Sequence, residues 1–222
     1  MRLLGLIVVL FCAIGGQFAA APPASAAPPQ AAAQALPPDV NADSRNRLPL
    51  VKRENLDAAG QKIYDEIGAT GPTGVRMHNP VFASYMNQAN DYLRTKSGLD
   101  PRLAEMVILV GAREVDGQYI WTAHEPSARE AGLAGEIIDV IKFRKPLAGV
   151  GEKEAALIRL GREAVGQHKV SPQTYAQAAK LFNPHDLVSY VSLMLHYASS
   201  GMLLNTFDQQ LRPGQTPLLP IQ

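Results

Sequence analysis

Glu105 is the one acid in an otherwise apolar helical run, Leu103–Val110, and His124 follows nineteen residues later. In a helix, Glu105 shares a face with Arg102 before it and with Ile108 and Leu109 after it. A carboxylate facing a core must be paired, hydrogen-bonded or protonated, because an isolated buried charge is too costly. Burial would raise its pKa and a nearby Arg102 would lower it, which is how a tunable acid or base is built. A partly exposed helix acid paired with Arg102 accounts for the same residues, and the sequence leaves both readings open.

His124 comes just after the only tryptophan, Trp121, with Tyr119 close by. An imidazole beside aromatic rings can serve as a general acid or base near neutral pH. The alternative is a core histidine bonded to a backbone carbonyl. His78, His168, His185 and His196 show no His-x-x-x-His or similar spacing, so no metal site is expected. Ser127, Ser199 and Ser200 sit in no nucleophile motif. The glycine-rich segment Gly68–Gly74 lacks the Lys-Ser/Thr ending and the preceding strand that a phosphate loop needs.

The elements that must position these residues read as helices. Asn79-Pro80, Asp100-Pro101, Ser171-Pro172 and Asn183-Pro184 each pair a capping side chain with proline at the first helical position. Further helices are expected over 56–67, 118–131, 134–143 and 152–166. The helix from Asp100 is apolar on nearly all sides and should be central. Pro126 falls inside the helix that carries His124 and should bend it. Residues 68–74 read as a loop, with three glycines and a proline in seven positions. No segment alternates long enough to be a strand. The expected fold is all-α, a single-domain bundle of about eight helices over residues 47–211.

Residues 1–26 fit a secretory signal: Arg2, an apolar run Leu3–Ile14, then Ala24-Ser25-Ala26. The apolar run is shorter than the roughly 20 residues a membrane span needs. Export to the periplasm or medium is therefore expected. An Ala/Pro-rich spacer follows over 27–46, too poor in apolar surface to fold, and a proline-containing tail occupies 212–222. Cleavage removes Cys12, the only cysteine, so the mature chain has no thiol chemistry. The 21 basic residues lose Arg2 and then match the 20 acidic ones. That balance argues against nucleic acid or a membrane surface as partner.

The order Arg102-x-x-Glu105, Gly117-Gln118-Tyr119-Ile120-Trp121-Thr122-Ala123-His124-Glu125, then Ala128 and Gly132, resembles the carboxymuconolactone decarboxylase family. That family also contains the alkylhydroperoxidase-D-like proteins. Arg47-Leu48-Pro49, Gly71-Pro72 with His78-Asn79-Pro80, and His196-Tyr197 through Leu204-Asn205 extend the likeness to about residues 45–210. The peroxidase branch follows its glutamate with Cys, Cys and His at twelve, fifteen and nineteen residues; here those places hold Gly117, Ile120 and His124. Thiol peroxidase activity is therefore not expected. The decarboxylase branch lacks the cysteine pair and uses no cofactor. The resemblance implies a lyase acting on a small carboxylated lactone or related carbonyl compound, with His124 as acid/base and Glu105 as its orienting partner. Arg102, Arg113 and Arg129 are the expected carboxylate-binding residues, Arg102 foremost, with Trp121 and Tyr119 also lining the substrate. The likeness further implies an alkylhydroperoxidase-D-like fold and assembly into homotrimers or homohexamers. A non-enzymatic exported protein of the same fold is the competing reading.

Overall fold

The capping signals act as their chemistry dictates. Side-chain oxygens of Asp57, Asn79, Asp100, Ser171 and Asn183 accept from the backbone N–H three residues on, at 2.7, 3.3, 3.0, 3.2 and 2.9 Å. Each satisfies one otherwise orphaned donor, worth about 1 kcal/mol. The computed structural model describes residues 35–221 and contains nine α-helices and no strand among them. They are α1 (Ala58–Ile67), α2 (Pro72–Arg76), α3 (Pro80–Asp91), α4 (Pro101–Glu114), α5 (Gln118–Glu130), α6 (Gly135–Lys142), α7 (Glu152–Gly161), α8 (Pro172–Leu181) and α9 (Pro184–Thr206). The all-α expectation holds.

Helix α4 is the axis of the molecule. Ten consecutive residues, Leu103–Ala112, are buried, as its all-round apolar sequence requires. It packs chiefly against α9 and α5, with α7 and α6 on its remaining sides. Two glycines permit the close crossings. A Cβ on Gly111 would lie 2.4 Å from the Met194 carbonyl oxygen of α9. A Cβ on Gly161 of α7 would lie 2.2 Å from Val110 Cγ1.

Two helices end in wide turns. Helix α3 runs on into Tyr92–Lys96, where the Ser97 N–H reaches back five residues to the Tyr92 carbonyl at 2.9 Å. Helix α7 runs on into Arg162–Gly166 in the same way. Such widened turns shift side-chain register relative to a regular helix. The first of them carries Arg94.

Two local expectations change. Residues 68–74 are not all loop: Pro72, with its preset φ, starts the short α2 after Gly71 takes φ +54°. Pro126 lies inside α5, Gln118–Glu130, as expected, and does not end it. The last part of the spacer, residues 40–46, is packed rather than loose. Asn46 is buried and its Nδ2 donates to Gln209 Oε1 at 2.9 Å, while Arg45 Nε donates to the Leu211 carbonyl at 2.8 Å. Polar side chains anchor this arm with only Val40 as a buried apolar residue, so hydrophobic composition gave little sign of it. The tail lies on its own chain: Leu219 is buried and the Leu218 N–H donates to Thr122 Oγ1 at 3.3 Å. The proposed signal 1–26 and spacer residues 27–34 lie outside the described residues.

Candidate functional site

Glu105 sits in the buried run of α4, and its side chain is 9% exposed. Both carboxylate oxygens are engaged. Oε2 meets His124 Nδ1 at 2.9 Å, and Oε1 accepts from Arg94 Nη2 at 2.5 Å. The α4–α5 turn makes the first contact possible. Asp116 takes φ +49° and the Gly117 N–H returns to the Ala112 carbonyl at 2.7 Å, which doubles α5 back along α4. The wide turn after α3 supplies the second contact by bringing Arg94 over the same carboxylate.

Burial alone would raise the Glu105 carboxyl. The hydrogen bond and charge of His124, joined by Arg94, outweigh it and hold the group below its ordinary value of 4.5. An ionised carboxylate only accepts, so Nδ1 of His124 carries the hydrogen. Nε2 is then left as the acceptor of the neutral ring, and as a donor once the ring is protonated. Tyr197 of α9 closes the far side, its ring edge-on to His124 with centroids 4.7 Å apart. The Tyr197 hydroxyl is raised by burial and acted on by Arg94, Glu105 and Arg76.

The other residues expected at the site lie elsewhere. Arg102 pairs with Glu154 of α7 at 2.7 Å and does not touch Glu105. Arg113 is held by Asp116 in the α4–α5 turn. Arg129 bonds Glu125 at 2.8 Å, and fully buried Trp121 donates its Nε1–H to the same acid at 2.7 Å. Lys142 of α6 completes that cluster at 2.8 Å from Glu125, so the Glu125–Lys142 pair ties α5 to α6 while Trp121 and Arg129 hold Glu125 in place. Tyr119 packs on Gly71 and lines a cavity of about 270 Å³ with Arg45, His78 and Arg212. That cavity shares no residue with the Glu105–His124 contact. The site is placed at the contact, where an acid, an imidazole and a guanidinium meet at hydrogen-bond distance.

Arg94 was not foreseen, since eleven residues separate it from Glu105 and the intervening turn breaks helical spacing. Tyr197 was within view only through the His196-Tyr197 pair. At the two positions where a thiol pair would stand, Gly117 packs its Cα against Gly201 of α9, and Ile120 is buried in the core.

The profile of the carboxymuconolactone decarboxylase family matches residues 80–160, a segment spanning α3 to most of α7 and holding Arg94, Glu105 and His124. A search of curated proteins returns no match. Among solved structures, the chain is similar to the alkylhydroperoxidase AhpD core of an uncharacterized peroxidase-related protein from Ralstonia eutropha JMP134. The TM-score is 0.61 at 16% identity, over 78% of this chain and 98% of that one. A protein of unknown function from Agrobacterium tumefaciens, linked by description to AhpD antioxidant defence, gives 0.56 at 14% identity, over 62% and 94%. A cysteine-to-alanine variant of the debrominase Bmp8, in complex with 2,3,4-tribromopyrrole, gives 0.57 at 10% identity, over 74% and 91%. At these identities the likeness establishes the fold. Residues 80–160 thus match the carboxymuconolactone decarboxylase family profile, and the chain shares the fold of AhpD-like structures.

Proposed function

We propose that the chain is a cofactor-independent lyase that decarboxylates a small carboxylated lactone or related carbonyl compound by acid/base chemistry. The observation that carries this reading is the half-buried Arg94–Glu105–His124 constellation. In the reaction, the carbon–carboxylate bond breaks and CO2 leaves. The electron pair stays on the substrate, spread into the adjoining carbonyl as an enolate. Protonated His124 delivers a proton from Nε2 to that carbon and is reprotonated by water, while Glu105 holds the ring through Nδ1. Arg94, one-third exposed, takes the carboxylate-binding role first expected of Arg102. A thiol mechanism has no support, since Gly117 and Ile120 hold the thiol positions.

The test is CO2 release from a panel of carboxylated lactones and dicarboxylates by the mature protein and by His124→Ala. Turnover by the wild type that His124→Ala loses is the expected result. Equal turnover by both would remove His124 from the chemistry, and none by either would favour the non-enzymatic reading.

We also propose export and self-association. The leader-like residues 1–26 support export. Exposed Val188, Leu195 and Met202 recur every seven residues along α9, which carries no charged residue between Asp186 and Asp208. With Phe82 and Tyr85 exposed on α3, they offer apolar surface for a second copy, as trimers or hexamers would need. Light scattering at micromolar protein is expected to give a multiple of the protomer mass; a monomer would contradict it.

A further inference from the structure

Arg76, at the end of α2, is only 8% exposed and forms no ion pair with any acid among the described residues. Its Nη2 donates to Ser200 Oγ at 2.7 Å, and its Nε finds no partner. Ser200 spends its own proton on the His196 carbonyl at 2.8 Å, so it gives Arg76 a dipole and no charge. A buried guanidinium satisfied only by a hydroxyl is costly, and such a group calls for an explanation.

Its surroundings supply one. Ser200 lies three residues after Tyr197 on α9, and Tyr197 packs edge-on against His124. The charges of Arg94 and Arg76 both favour ionisation of the Tyr197 hydroxyl, against the burial that raises its pKa. Glu105 balances Arg94 alone. His196 cannot balance Arg76, because it is neutral or cationic; burial and the Arg76 charge press its pKa down to about 4. The cluster around Tyr197 thus holds one more cation than anion.

We infer that Arg76 is an anion-binding residue that takes a carboxylate of a small organic acid beside Tyr197. Its free Nε–H and an Nη–H are the fork that grips carboxylate oxygens in pairs. Arg94, with a side chain 36% exposed, is the more solvent-facing of the two guanidiniums. The inference shares its location with the proposed lyase site but does not depend on turnover.

Calorimetric titration of the mature protein in chloride-free buffer tests it, with succinate as the probe and succinamide as its uncharged control. The wild type is expected to bind succinate saturably and succinamide not at all. Arg76→Met should weaken binding roughly 10- to 100-fold, the range expected for losing charge-assisted hydrogen bonds. Should Arg76→Met fail to fold by circular dichroism, Arg76→Gln keeps a donor for Ser200 and should show the same loss. Equal affinity in the wild type and the folded variant, or no binding by the wild type, would overturn the inference. Arg76-dependent binding without turnover would leave it standing and remove the lyase reading. Turnover by a protein whose succinate binding ignores Arg76 would do the reverse.

Discussion

Replacing Glu105 by glutamine is expected to lower turnover by about two to four orders of magnitude while helical content stays unchanged. The substitution is nearly isosteric, so Arg94 can still donate to the amide oxygen. The amide nitrogen then faces His124 Nδ1 as a donor and reverses the ring's tautomer. The protonated ring, which carries hydrogens on both nitrogens and donates from Nε2, would lose the carboxylate that accepts its Nδ1–H. The same variant has a stability signature. Glu105 titrates below its ordinary value of 4.5 in the folded chain, so its charge stabilises the fold above that pH. That contribution fades as pH falls through the lowered value. The stability gap between wild type and Glu105→Gln should therefore be present at neutral pH and close in acid. Denaturant titrations at pH 7 and near pH 3 read it directly, and a gap that widens in acid would contradict the pairing.

The largest structural effect is expected from Gly111→Ala. Alanine in place of glycine would favour the helix by about 1 kcal/mol on propensity alone. Here the added Cβ would stand 2.4 Å from a backbone carbonyl oxygen, that of Met194, and 3.3 Å from the Ala198 nitrogen. Backbone in the middle of a packed helix yields only by moving α9 away from α4, and overpacking of this kind costs about 1–3 kcal/mol or more. The overlap wins. A fall in Tm of several degrees is expected, at roughly 2–4 °C per kcal/mol for a domain of this size. Gly161→Ala should cost less, because its neighbours are the Val110 and Met194 side chains and the thioether can swing aside. Thermal melts of the two variants decide the order; an unchanged or raised Tm for Gly111→Ala would refute the close crossing.

Much of this architecture was legible in the sequence, and the parts that were not have physical reasons. Polar–proline pairs marked four helix starts because capping and φ restriction are local effects that tertiary packing rarely overrides. The Asp100 helix was recognisable as central because its apolar residues cover every face. The meeting of Glu105 with His124 depended on spacing across a sharp turn, and there family resemblance carried more than periodicity. The arginines were misjudged for one reason. Helical spacing placed Arg102 beside Glu105, but Arg102 lies on the face of α4 that meets α7 and Glu154. Arg94 reaches Glu105 from another element, and no spacing rule in a linear sequence links residues joined only through a widened turn. The burial of Arg76 is likewise a tertiary fact, since nothing near it in sequence is strongly apolar beyond Val75 and Met77.

The central claim is that Glu105 and His124 act as one unit. It is tested most directly by measuring kcat/KM for wild type, Glu105→Gln, His124→Ala and the double variant on a substrate that the wild type turns over. The account predicts a double variant no slower than His124→Ala alone, because the carboxylate works only through the imidazole. Losses that multiply, each variant subtracting its own share, would show two independent groups and contradict it.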